Sequence, residues 1–125
     1  MNLEPGAAVV VHLGQPREQV FGVLLSMNLA GLILRGIAIG SVDDWIRQAT
    51  ADEAQDAGEG PHAHLGLTQT FFPMHRVERI SLDEPAHGLP SIGDRFRDRV
   101  GRELTGWVLE THGDALERDG EAPSA

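Results

Sequence analysis

Apolar and polar positions alternate most clearly between Val9 and Ile39, and the rest of the chain is arranged around that stretch. Val9, Val11 and Leu13 alternate with Val10, His12 and Gly14, the period of a strand with one face toward a core. Gly14-Gln15-Pro16-Arg17 breaks the pattern, because proline lacks the amide a central strand needs and glycine supplies turn geometry. A second strand is predicted from about Glu18 to Met27 and a third from Leu32 to Ile39. Asn28-Leu29-Ala30-Gly31 between them reads as a hairpin tip, since Asn and Gly tolerate the positive φ of a reversal. Gly22 and Gly36 fall inside strands, where a missing side chain marks a bulge, a bend or a close backbone approach. Strands bent in this way let a small sheet curl into a barrel.

Beyond Ile39 the pattern becomes helical. Ser41 is placed to cap a helix running to about residue 57, with Asp43 and Asp44 in its first turn and Trp45, Ile46 and Ala49 as its apolar stripe. Residues 56–65, rich in Gly, Pro and acid, read as a loop. Leu67–Phe72 and Arg76–Leu82 read as two further strands, with Pro73-Met74-His75 as a tight helical turn between them. After a turn-rich connection at 83–90, Ser91 and Asp94 form a capping pattern. Ile92, Phe96, Val100, Leu104, Trp107 and Val108 then recur at helical spacing, which predicts one amphipathic helix to about residue 111. That helix carries Gly101 and Gly106, each costing about 1 kcal/mol relative to Ala, so its apolar face (Ile92, Phe96, Val100, Leu104, Trp107) has to pack on the barrel or on a partner. The polar tail, 112–125, is expected to be disordered.

The residues of the first hairpin resemble a known pattern. Val11-x-Leu13, Arg17, Gly22-x-Leu24, a turn at Asn28 and an apolar strand from Leu32 are similar to the first Sm motif, with about one residue added before the glycine. The resemblance covers Val9–Ile39 and Leu67–Leu82, under half the chain. It implies a strongly bent five-stranded barrel of the SH3-like or Sm-like kind, assembly into rings, and RNA held at the pore in many members. The family pairs an aspartate with an asparagine four residues on in its RNA-binding loop, whereas here those positions carry Asn28 and Leu32. The expected organisation is an N-terminal arm over 1–8 and a mainly β barrel over 9–83, with the helix at 41–57 inserted between its third and fourth strands. A helix over 84–111 and the acidic tail follow.

Composition narrows the chemistry. With 125 residues the chain forms one small domain with appendages. It has no cysteine, which rules out disulfides, thiolate nucleophiles and cysteine-ligated zinc. The net charge of −9 is uneven: residues 41–60 hold six acids against Arg47, and the chain from Glu110 onward holds five against Arg118. Acid on the appendages weakens the case for nucleic acid, whose affinity depends on basic contacts to phosphate. Arg95, Arg97, Arg99 and Arg102 alternate with acids and read as a solvated helix face.

No catalytic motif is present, no cofactor is implied, and a non-enzymatic reading follows. Interrupted by Asn28, Arg35 and glycines, the apolar run is too broken to cross a bilayer, and without a basic, apolar leader pattern the chain is expected in the cytoplasm. His62 and His64 are weak metal-ligand candidates because nothing nearby completes a zinc set. The expected function is an oligomerising or protein-interaction module, with copies of itself or another protein as partner. The alternative is an Sm-type RNA binder using Asn28, Arg35, His75 and Arg76, and a small metal protein or enzyme is the third reading.

Overall fold

The computed structural model describes residues 3–54 and 67–109. Five antiparallel strands form one sheet: β1 (Ala8–Leu13), β2 (Glu18–Asn28), β3 (Gly31–Ala38), β4 (Thr68–Pro73) and β5 (Val77–Leu82), in the order β4-β3-β2-β1-β5. The first hairpin forms where its residues predict, though without the positive φ expected at Asn28 or Gly31. Asn28 closes it, its Oδ1 accepting the amides of Ala30 at 2.8 Å and Gly31 at 3.3 Å. A one-turn 3-10 segment, Met74–Arg76, links β4 to β5, in keeping with the tight helical turn expected there.

The sheet has a core on each face. On the inner side Val9, Val11, Leu13, Leu24, Leu32 and Leu34 are buried, and Phe72, Val77, Ile80 and Leu82 pack against them. All five strands contribute, so the sheet curls around this core without closing: β4 and β5 each pair on one side only. Where a strongly bent five-stranded barrel was expected, the strands form an open antiparallel sheet. The backbones of β2 and β3 approach closely at Gly22 and Gly36, which are partners across the two strands, and their register shifts between Leu24 and Ser26. A Cβ on Gly22 would strike the Arg35 carbonyl, and one on Gly36 would strike that of Phe21. No residue with a side chain fits between these backbones.

The outer face holds the second core and corrects the one-faced reading of β1. Ala8 and Val10 of β1, Phe21 and Val23 of β2 and Ile37 of β3 lie under helices. Helix α1 (Val42–Ala54) contributes Val42, Trp45, Ile46 and Ala49 to this core. It is preceded by a 3-10 turn, Ile39–Ser41, which takes Ser41 and the expected end of the third strand out of their predicted elements. Helix α2 (Ile92–Val100) contributes Phe96 and Val100. Ser91 and Asp94 make the predicted capping box, and Asp83 adds two further bonds, its carboxylate accepting the amides of Ile92 and Gly93 at 2.8 Å each.

The expected continuous helix over 91–111 is broken. Gly101 adopts the left-handed conformation (φ 85°) and caps α2, its amide donating to the Arg97 carbonyl at 2.9 Å. Helix resumes over 104–109, folding Leu104, Trp107 and Val108 back onto the same core. Left-handed geometry carries a penalty for any residue with a Cβ, so a glycine here favours a break over an uninterrupted helix. Trp45, Phe96 and Trp107 meet at its centre, with ring centroids 5.1 to 5.9 Å apart. The helix face offered as a partner surface is thus spent inside the chain: Phe96, Val100, Leu104 and Trp107 are buried and Ile92 is half-buried against them.

The N-terminal arm is part of the sheet as well. Gly6 donates to the Leu24 carbonyl and Ala7 accepts from the Leu24 amide, extending the β1 pairing along β2. The rest of the helix expected to residue 57, the acidic loop, His62, His64 and the tail lie outside the described residues. Gly22→Ala should lower stability by at least about 1–3 kcal/mol, the usual cost of forcing atoms into a packed site. Urea denaturation measures it, and an unchanged midpoint would show that the close approach at the two glycines is not required.

Candidate functional site

Four residues singled out from the sequence as contacts hold separate posts. Asn28 is occupied in the hairpin turn. Arg76 anchors the turn between β1 and β2: its Nε donates to the Gly14 carbonyl at 3.1 Å and its Nη2 to the Pro16 carbonyl at 3.0 Å, with Glu18 at 3.3 Å. His75 is exposed in the 3-10 turn, and its ring makes no hydrogen bond among the described residues. Arg35 is buried on the outer face of β3, opposite Gln69 of β4. These four do not converge on a pore or rim within one chain. The arginines of α2 behave as a solvated face, with Arg97 to Asp94 at 3.2 Å, while Arg95 ties α2 to α1 through Asp43 at 2.7 Å.

The most unusual of these positions is Arg35. Its side chain reaches over β4, where Nη2 donates to the Gln69 Oε1. The residue is 3 % exposed, its Nε is buried without a hydrogen-bond partner, and no carboxylate pairs with it among the described residues. Burial pulls the guanidinium below its ordinary pKa. A buried cation normally has an anion to offset its desolvation, at a cost of several kcal/mol when it does not.

Arg35 lies beside the less protected of the two sheet edges. On β5, the edge carries Glu78 and Arg79 and a bulge opposite His12 and Leu13, features that discourage another strand from pairing. On β4, Thr68-Gln69-Thr70-Phe71-Phe72-Pro73 has no charge. The Met74 amide donates to Ala30, and the Phe72 carbonyl lies against Gly31, so the even-numbered residues of β4 direct their backbone groups toward β3. Alternation along a strand then leaves the amides of Gln69 and Phe71 pointing outward, and the missing amide of Pro73 falls on that same side. Phe71 itself is 52 % exposed, beside half-buried Ile33, and Leu29 stands 98 % exposed at the neighbouring hairpin tip. Outward amides, an exposed aromatic and an orphaned cation therefore coincide on one edge. The sequence carried a signal for it in the uncharged strand ending in proline, whereas the burial of Arg35 depends on which face of β3 packs under helices.

A second feature, missed from the sequence, is a polar cleft of about 390 Å3 at the turn between β1 and β2. Gln19, His12 and Arg79 are successive partners across β2, β1 and β5 and form its wall. The His12 Nε2 lies 3.4 Å from the Ser81 hydroxyl. Burial, helped by Arg79 and opposed by Glu78, lowers the His12 pKa below the ordinary 6.5. Both residues of this contact are half-buried. Among the described residues no three His, Asp or Glu side chains group as metal ligands, and no helix is long and apolar enough to cross a membrane. Compared with protein-family models, curated proteins and solved structures, the chain matches none.

The His12 shift fixes a sign for pH dependence. Above pH 6.5 the ring is neutral in both folded and unfolded chains. As the pH falls below that value the unfolded chain takes up the proton first, so this group withdraws stability until the pH passes the lower, folded value. Melting temperatures measured at about pH 7.5 and about pH 5.5 should fall more for the native chain than for His12→Gln. Equal drops would remove His12 from the account.

Proposed function

We propose that this chain is a non-enzymatic Sm-like barrel that works as an oligomerising or protein-interaction module, joining its partner by strand addition at β4. The observation that carries this reading is the edge itself, uncharged, with outward amides at Gln69 and Phe71 and an exposed aromatic ring. Such an edge accepts a further strand through main-chain hydrogen bonds, and side chains on alternate positions supply the specificity. Five bent strands around one inner core, with a single 3-10 turn between the fourth and fifth, support the barrel assignment. An Sm-type RNA function draws less support. Asn28 is exposed but engaged in the hairpin turn, Arg76 is engaged in the turn between β1 and β2, Arg35 is buried, and the exposed member of that set without such a post is His75.

Light scattering coupled to size exclusion tests the module reading. Any mass above that of the monomer at micromolar concentration is expected to come from an assembly through this edge that a strand-forming partner displaces, and Phe71→Lys, which places a charge on the edge, should reduce it to the monomer while leaving the melting temperature within about 1–2 °C, as for a surface substitution. An assembly that Phe71→Lys leaves intact would take β4 out of the interface. An absorbance ratio typical of bound RNA, lost as salt is raised, would favour the RNA reading instead.

A further inference from the structure

From the burial of Arg35 we infer that the strand accepted at the β4 edge is acidic at one position: an extended segment of a partner protein carrying Asp or Glu, with an apolar residue two positions away. This rests on the strand-addition reading above and adds the chemistry of the partner.

The geometry supplies both parts of that pattern. Neighbouring strands lie about 4.8 Å apart. The Arg35 side chain starts on β3 and already meets the Gln69 side chain one strand over, on the edge strand. A strand added outside β4 lies one spacing further, and a carboxylate on its outer face, leaning back over Gln69, comes within reach of the guanidinium. That carboxylate supplies an anion to a guanidinium that has a buried nitrogen without a hydrogen-bond partner. Phe71 is two residues from Gln69 and shares its face, so the incoming side chain two positions from the acid lies over the exposed ring. A neutral polar residue in place of the acid leaves the cation buried and unpaired, a larger penalty than losing an ordinary hydrogen bond.

The β5 edge of a second copy is a poorer fit to this chemistry. Its one acid, Glu78, is followed directly by Arg79 at a bulge, and that arginine would face the buried cation with like charge. A segment of a different protein is therefore the occupant inferred here.

The test uses the full chain and two capped synthetic peptides, Thr-Val-Thr-Glu-Thr-Val-Thr and its Gln counterpart. Valine on both sides of the central residue covers either strand direction. Fluorescence anisotropy of labelled peptides should give at least about tenfold tighter binding for the Glu peptide, the usual worth of a hydrogen bond to a charged group. Arg35→Met should keep the fold, with an unchanged or raised melting temperature, and abolish the preference while retaining the weaker binding of the Gln peptide. Equal affinities for the two peptides in the native chain would overturn the acidic partner and leave strand addition standing. Binding of neither peptide to a monomeric chain would overturn the strand-addition reading itself. A self-assembly that neither peptide dissociates would assign the edge to a second copy and overturn the inference. Because the comparison between peptides needs no variant, a failure of Arg35→Met to fold does not affect it.

Discussion

Both faces of one small sheet are apolar, and each has to be covered from a chain of only 125 residues. The inner face is covered by the sheet curling on itself, which the side-chain-free contact between Gly22 and Gly36 makes sterically available. The outer face cannot be covered that way, and α1, α2 and the helical residues 104–109 are spent on it. Neither helix carries a long apolar stripe of its own, and isolated helices of this length are marginal in water. Their persistence follows from the shared burial of Trp45, Phe96 and Trp107 over Phe21 and Val23. The break at Gly101 belongs to the same requirement, because it turns Leu104 and Trp107 back toward the sheet.

Covering both faces leaves the edges as the place where the chain meets its surroundings. A flat, uncharged, partly aromatic edge is a liability that sheets ordinarily blunt with charge, proline or a bulge. Here β5 carries charges and a bulge, whereas β4 carries only Pro73 at its end. That asymmetry within one sheet is hard to account for by general solubility, which both edges serve equally. It is accounted for if β4 has a partner and β5 does not.

The local grammar of the chain was legible where one residue type has one dominant use. Asn28 and Gly31 mark the hairpin, Pro73 the turn into the fifth strand, Ser91 with Asp94 the start of α2, and Gly22 with Gly36 the close approach of β2 and β3. What stayed hidden depends on register and on the second core. The run Val9-Val10-Val11 is apolar at every position, the mark of a strand buried on both faces, yet alternation with His12 and Gly14 made it look one-sided. Apolar residues continuing in phase past Gly101 suggested an unbroken helix, because periodicity does not register a left-handed residue that the tertiary fold favours. Arg35 looked like a surface contact in the middle of a strand. Its burial follows from being on the face of β3 that the helices cover, a fact no local pattern contains.

Arg35 also bears on why a buried charge would be kept at all. Replacing buried ionic groups with apolar ones of similar volume is often neutral or stabilising, so stability alone gives no reason for an arginine at a position framed by Val23 and Ile37. Its other recognised use is to reject wrong partners, since an incoming strand without an anion would seal the cation away from water unpaired. An edge open to main-chain pairing is promiscuous by nature, because every strand has the same backbone. A guanidinium one strand back from that edge would restrict it without blocking it. The unpaired state is endurable only while Gln69 holds one end of the group near solvent, and Gln69 is exposed. The destabilising feature and the selective feature are then the same side chain, and its cost is borne in the free chain and relieved on binding.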